Sequence, residues 1–470
     1  MTRNNVTRNM TEGDPLKLIL GFSVPLMFGL FFQQLYSFAD AAIVGRFLGT
    51  SALAAVGSTG SVNFLVLGFC MGICSGFGIP ISQAFGAGDE KALRRYTAGA
   101  CYLAAGISVV FAVGTGLGCG AALRAMNTPA DILDEASAYI RIIFFAIPVT
   151  VVYNLAGSVL RAVGDSRTPV LYLVAASVIN IALDLVFIPV FRMGVTGAAW
   201  ATVISQLFAG IGCVRTVLKH LPMLTECPDD LKFRRRYILK TAAMGIPMGL
   251  QYSITAVGSI VMQTAVNGLG TGAVAAVTAA GKLYSFFTCV FDALATAMAT
   301  FCGQHVGAAR AERIPAGLRA AGVIGTVYSL LVLALVYLTG GMMLGIFLGS
   351  DTDGPVAAMA MRYMVANVAF FIPLLFVNIV RFSIQGMGFT RLAMVAGVFE
   401  MAARTLVAVA LVPRFGFDAA CFANPLAWVM ADIFLLPCFV RTWRILMRRG
   451  GGRTEERGKK ACRPLKSIGY

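Results

Sequence analysis

Charge is scarce in this sequence. Only 13% of its 470 residues are Asp, Glu, Lys or Arg, too few to solvate the surface of a soluble chain of that length. Histidine is scarcer still, with His220 and His305 alone, and the eleven cysteines occur singly, mostly inside apolar runs such as Phe69-Cys70 and Thr288-Cys289, with no CxxC pair. That pattern excludes zinc sites, haem attachment and a disulfide framework. There is no HExxH, no GxSxG and no pair of histidines, so an intramembrane enzyme lacks its catalytic groups and no cofactor is expected. What the chain has is apolar mass: 58% hydrophobic residues, 51 glycines and a mean hydropathy of +0.79. A helical crossing takes roughly 20 apolar residues, so this composition implies an all-α polytopic membrane protein with no sizeable soluble domain.

Apolar runs between charged or Gly/Pro-rich breaks predict twelve spans, at 16–39, 52–84, 96–120, 137–158, 169–191, 195–217, 238–263, 271–303, 318–348, 362–384, 392–413 and 417–440. The second and eighth are longer than a straight crossing requires, which predicts tilted helices that protrude from the bilayer. The polar first fourteen residues lead into an apolar run followed by eleven more, so that run reads as a first span and not a cleaved signal. Six Lys and Arg lie in or beside the odd-numbered loops (Arg46, Arg124, Arg141, Arg192, Arg362, Arg414), Lys282 and Arg404 fall within spans, and the other 30 lie on the opposite side. The positive-inside rule then puts both termini in the cytoplasm of a multi-pass plasma (inner) membrane protein. The basic segments 232–240 and 441–466 read as topology determinants that favour anionic headgroups, so the net charge of +16 does not imply nucleic acid. The last twenty residues read as a disordered tail.

An internal repeat organises the chain. Leu48-Gly49-Thr50 with Leu53-Ala54-Ala55-Val56 recurs 221 residues later as Leu269-Gly270-Thr271 with Val274-Ala275-Ala276-Val277, and Gln83-Ala84-Phe85-Gly86-Ala87 recurs at the same interval as Gln304-His305-Val306-Gly307-Ala308. Pro25, Pro148 and Pro189 pair with Pro247, Pro373 and Pro413. Six spans per copy, an even number, require the copies to share one orientation about an axis along the membrane normal. The expected layout is a cytoplasmic segment 1–15, a first lobe 16–218, a basic hinge linker 219–237, a second lobe 238–440 and a basic tail 441–470. Two such bundles around a cavity suit an alternating-access transporter.

Phe32-Gln33-Gln34-Leu35-Tyr36 leading to Ala39-Asp40, Val44-Gly45-Arg46-Phe47-Leu48-Gly49, Ala52-Leu53-Ala54-Ala55-Val56-Gly57 and Gln83-Ala84-Phe85-Gly86-Ala87-Gly88 resemble the multidrug and toxic compound extrusion (MATE) transporters of the MOP flippase superfamily. Leu160-Arg161-Ala162-Val163-Gly164-Asp165 with Thr168-Pro169, and Phe301-Cys302-Gly303-Gln304, extend the resemblance over nearly the whole chain. It implies twelve helices in two six-helix lobes and cation-coupled efflux, by H⁺ or Na⁺, of amphiphilic and often cationic drugs, from a monomer. A lipid-linked oligosaccharide flippase of the same superfamily would need a cationic cavity, and the sparse intramembrane Lys and Arg weigh against it.

Ionisable residues inside spans are costly and therefore functional candidates: Asp40, Asp184, Lys282, Asp292, Glu400 and Arg404, with Arg161 and Arg381 nearer the ends. Asn180 and Asp184, four apart, share one helix face, and Gln33, Tyr36, Ser37 and Asp40 make a polar stripe on the first span. Thr202, with Ser205 and Gln206, adds oxygens on the sixth span and Asn154 on the fourth, while the equivalent places in the second half read as apolar or empty. In the DinF-like branch of the family, two Asp, an Asn and a Thr on the first, fifth and sixth helices hold the coupling cation, and Asp40, Asn180, Asp184 and Thr202 resemble that set. The NorM-like branch puts acids on the seventh and tenth helices, where this chain has Gln251, Gln263, Tyr363 and Asn367. Such oxygen ligands suit Na⁺ or a proton shared between carboxylates. Phe31, Gln34, Tyr36, Met262, Gln263 and Tyr284 are the expected substrate contacts, Glu400 with Arg404 reads as an i,i+4 ion pair, and His305 as a solvated residue at a helix end.

Overall fold

A computed structural model of the protein describes the backbone of residues 7–461 except 127, 225 and 349–353, and their side chains apart from those of 50, 346–348 and 449–461. The expectations for residues 1–6, for the loop at 349–353 and for 462–470 lie outside the described residues. Twelve rods follow in chain order: α1 (Pro15–Leu48), α2 (Thr50–Ser58 with Gly60–Gly86), α3 (Glu90–Ala125), α4 (Ala130–Phe145 with Ile147–Ala162), α5 (Arg167–Phe187), α6 (Val195–His220), α7 (Arg235–Asn267), α8 (Thr271–Gly307), α9 (Ile314–Leu348), α10 (Pro355–Ala369 with Phe371–Gly386), α11 (Thr390–Leu406, continued through a π turn to Phe415) and α12 (Phe417–Cys421 with Ala423–Ala461). Helix in α12 thus runs through half of the segment expected to be a disordered tail. Among the described residues nine rods are individually long and apolar enough to cross a membrane, and α4 and α10, bent by 47° and 49°, qualify as pairs. The exception is α7, which packs on α2 and α11 and whose polar residues, Thr241, Gln251 and Ser253 among them, lower its hydropathy.

Local signals set the boundaries. Asp14 caps α1 through Leu16 N at 3.4 Å with Pro15 behind it, and Asp89 caps α3 through Ala92 N at 2.9 Å. Pro148 and Pro373 stand just past the breaks of α4 and α10, so the same bend occurs in both halves. The repeat is also written in the backbone. Left-handed residues recur in equivalent turns: Gly49 and Gly270 (φ 89° and 98°), Gly88 and Ala309 (66° and 57°), Gly164 and Gly388 (92° and 94°), Gly194 and Gly416 (61° and 59°).

Two large apolar cores stand out among the described residues, but they do not divide the chain cleanly between α6 and α7. Leu18, Ile19, Phe22 and Leu26 of α1 join the core of α8–α10 and α12, and α7 leans on α2 in return. The α2–α7 approach depends on glycine: a Cβ on Gly76 would lie 2.6 Å from Gly245 Cα and 2.8 Å from Met244 O. The linker is docked instead of free, because Asp230 receives Arg94 Nε at 3.1 Å and Arg95 Nε at 3.0 Å, and Arg94 Nη1 reaches Met223 O at 3.0 Å. Desolvation opposes ionisation of Asp230, yet the Arg94 hydrogen bond and the two guanidinium charges outweigh it and hold the carboxyl below the ordinary range.

The end of the bundle that carries both described termini is closed by crossed contacts between the lobes. Gln83 of α2 donates to Gly386 O at 3.0 Å, and its repeat partner Gln304 of α8 donates to Ala162 O at 3.0 Å. The N-terminal segment joins this closure: Arg8 N binds Val163 O at 3.1 Å, Met10 N binds Gln304 Oε1 at 2.8 Å, and Arg310 and Arg313 hold Thr11 O. Consequently His305 is fully buried, with Nδ1 2.8 Å from Phe301 O, and is not the solvated residue expected from its place at a helix end. The last turn of α8 is roofed by residues 8–13 and the Ala311–Arg313 turn, which Trp443 Nε1 caps at 3.0 Å.

Candidate functional site

A cavity of about 710 Å³ lies between the lobes, walled chiefly by α1, α2, α4, α5 and α6 of the first half and by α7, α8 and α10 of the second. On α1 its wall runs from Leu26 to Asp40, roughly 21 Å at 1.5 Å per residue. Gln33, Tyr36, Ser37 and Asp40 face it, as the polar stripe predicted. Asn180 of α5 and Thr202 of α6 reach the same space, and Asp184, fully buried, stands one turn beyond Asn180. The carboxyls of Asp40 and Asp184 come within reach of a shared proton, and Tyr36 and Tyr139 lie in the field of both.

The polar atoms here are conspicuously unsatisfied. Asp40 Oδ1, both oxygens of Asp184, and Asn180 Oδ1 and Nδ2 are buried without a hydrogen-bond partner among the described residues. Burying such atoms unpaired costs about 1–3 kcal/mol each, more when charged, so the cluster suits a bound cation or proton that the protein itself does not supply. The residues present fit either: four carboxylate and amide oxygens await a positive charge. Thr202 is less free, its hydroxyl donating to Ala198 O at 3.0 Å while its lone pairs stay available. Asn154 lines the cavity but spends its amide on Thr150 O at 2.8 Å, and Thr150 binds Gln206 Oε1 at 2.6 Å.

Most of the expected substrate contacts lie elsewhere. Tyr36 lines the cavity, but Gln34 does not, and its neighbour Gln33 takes the place. Phe31 packs on the second core beside Phe286, with centroids 6.4 Å apart, and Tyr284 stacks on Trp428 at 6.2 Å. Met262 packs in a small cluster around Val266, and Gln263 is exposed, donating to Asn267 Oδ1 at 2.9 Å. Lys282 sits 5.0 Å from the Phe38 ring, while Asp292 is the second lobe's acid at the cavity wall. Tyr139, Tyr153, Tyr252 and Asn63 also line it; no charge marked them in the sequence.

The second lobe is not apolar at the equivalent depth, contrary to the sequence reading. Glu400 pairs with Arg404 (3.6 Å) as expected, and also with Arg381 from α10. Arg404 Nε reaches Asn424 Oδ1 at 3.2 Å, and Asn424 binds Tyr363 and Asn367 at 3.2 and 3.1 Å. Gln385 donates to Gln251 Oε1 at 2.6 Å, and Asp432 on α12, overlooked in its apolar run, faces Arg381. Here Glu400 is matched by two arginines, whereas Asp40 and Asp184 have no basic partner among the described residues.

The MatE family pattern matches residues 25–186 and 247–410, one block in each half. Over 306 residues the chain is 32% identical to a probable multidrug resistance protein, YpnP, of Bacillus subtilis, covering 65% of this chain and 68% of that one. It is 26% identical over 308 residues to an FAD transporter of Shewanella oneidensis, covering 63% and 66%. A crystal structure of MATE in complex with MaL6 superposes with a TM-score of 0.87 at 20% identity, over 95% of this chain and all of the other, and shares the fold. With its two matched blocks, its twelve rods in two lobes and its central cavity, the chain belongs to the MatE family of membrane transporters.

Proposed function

We propose that the protein is a proton-coupled antiporter that exports amphiphilic organic compounds by alternating access across the plasma membrane, with both termini in the cytoplasm. The observation that carries this reading is the unsatisfied Asp40–Asn180–Asp184 cluster opening on a cavity shut at the terminus-bearing end. Relatives named a multidrug resistance protein and an FAD transporter support an organic solute and a transporter rather than an enzyme. A proton is favoured over Na⁺ because two carboxyls within reach of one another hold it without an exact coordination shell, whereas Na⁺ needs several oxygens at fixed distances. A cation entering from outside then neutralises the pair and biases the packing of α1 around Pro25, favouring release of solute; by linkage, solute weakens cation binding.

The test uses purified protein in liposomes with a fluorescent cationic dye. A pH gradient in sodium-free buffer should drive dye transport that Asp184→Asn and Asp40→Asn each abolish without lowering thermal stability. Transport that needs a Na⁺ gradient would overturn proton coupling, and normal transport by both variants would remove the first-lobe site.

A further inference from the structure

The reading above leaves one cavity residue without a task. Arg161, on the last turn of α4, faces the cavity at the end nearest the closed face, one residue before Ala162, whose carbonyl receives Gln304. Its hydrogen-bond partner is Ser158 Oγ at 3.1 Å, and no carboxylate lies within ion-pair distance of it among the described residues. Tyr153 and Tyr252 line the cavity with it. Asp165, the nearest acid in sequence, caps α5 through Oδ1, accepting from Arg167 N and Thr168 N at 3.0 Å each, and its buried Oδ2 makes no ion pair with Arg161. Asp292 shares the cavity wall without pairing.

This is the reverse of the second lobe, where both buried arginines are held by Glu400. A guanidinium kept inside a membrane protein without a counter-charge is expensive, and its planar fork of donors matches carboxylate and phosphate groups. The cavity therefore has two poles: the acids at the far end of α1, and a base on its floor flanked by two tyrosines.

We propose that Arg161, with Ser158 and the hydroxyls of Tyr153 and Tyr252, forms an anion subsite on the cavity floor that takes the carboxylate or phosphate of an aromatic organic solute. The substrate range then includes acid-bearing and zwitterionic aromatics, with the ring against the tyrosines and the anion on Arg161. This rests on the export reading above and narrows its substrate class.

The experiment uses two dyes with the same xanthene ring and opposite charge, carboxyfluorescein and rhodamine 6G, titrated by fluorescence anisotropy against full-length protein in phosphatidylcholine nanodiscs. Wild type should bind both. Arg161→Gln should weaken carboxyfluorescein about tenfold or more and leave rhodamine 6G within about twofold, and Arg161→Lys should recover much of the loss. Rhodamine 6G binding also reports that the variants are folded. Equal losses for both dyes, no loss for either, or no binding of carboxyfluorescein to wild type would each overturn the subsite. If phosphatidylglycerol in the nanodisc displaces carboxyfluorescein from wild type, the occupant is a lipid headgroup and the soluble-solute proposal falls. Gradient-driven transport of rhodamine 6G without carboxyfluorescein binding sinks the subsite alone, whereas failure to transport either dye sinks the export reading.

Discussion

Gly307→Ala should open the closed face. Gly307 passes over the last turn of α2 so closely that an added Cβ would strike Gln83 O, with Gln83 C at 2.8 Å and Ala87 N at 2.9 Å. Every one of these neighbours is backbone, so no side chain can swing aside and the two helix ends must part. Overpacking of this kind costs about 1–3 kcal/mol. That penalty falls on the closed arrangement alone, because once α2 and α8 separate at this end the methyl meets nothing. The opening equilibrium should therefore shift by roughly 5- to 150-fold toward the open form. The N-terminal segment bridges the two halves at this end, Arg8 N on Val163 O and Met10 N on Gln304 Oε1, so its amides report the separation. Hydrogen exchange of the peptide spanning residues 8–12 should accelerate by the same factor, with exchange in Leu374–Ile384 at the heart of the second core unchanged. If the variant folds and Met10 remains as protected as in wild type, the crossing is not what holds this end shut.

Other outcomes follow from single side chains. Glu400→Gln leaves Arg381 and Arg404 buried without their shared counter-charge, and thermal unfolding in detergent should show a loss of about 3–5 kcal/mol, whereas replacing the residues as a set by apolar groups should cost far less. Asp230, whose carboxyl titrates below the ordinary range, stabilises the docked linker at neutral pH. That contribution is complete above the unfolded value near 4 and fades as pH falls through the lower folded value, so protease sensitivity of the 219–237 segment should rise only in acid for wild type but already at pH 7 for Asp230→Asn.

The architecture was legible in the sequence because membrane helices announce themselves by composition, and the repeat by its prolines and Gly-rich turns. The first-lobe acids were legible for the same reason: a carboxylate in an apolar run stands out, and Asn180 four residues before Asp184 fixes their common face. Resolution failed where one residue of helical phase decides the matter. Adjacent residues on a helix point about 100° apart, so Gln33 faces the cavity and Gln34 does not, although both read as polar groups in the same span. Met262, Gln263 and Tyr284 were placed on the right helices but face a small core, solvent and Trp428 respectively, since an apolar chain offers no amphipathic contrast to orient them. His305 looked exposed because span length ignores what covers a helix end, and the covering segment comes from residues 8–13, far away in the chain. Tyr139 and Tyr252 carry no charge to betray them, and their role emerges only when α4 and α7 are brought to the same wall.

The crossing of the two cores bears on how the molecule is made. Residues 8–26 leave the ribosome first, yet Met10 awaits Gln304, and Leu18, Ile19, Phe22 and Leu26 await α8 and α9, which are synthesised almost three hundred residues later. Until then α1 presents a face with nothing to meet, and a chain stopped after the linker keeps that face bare for good. The halves inherited from duplication are thus no longer independent folding units. Expressed as two separate polypeptides they should be degraded singly and persist only together.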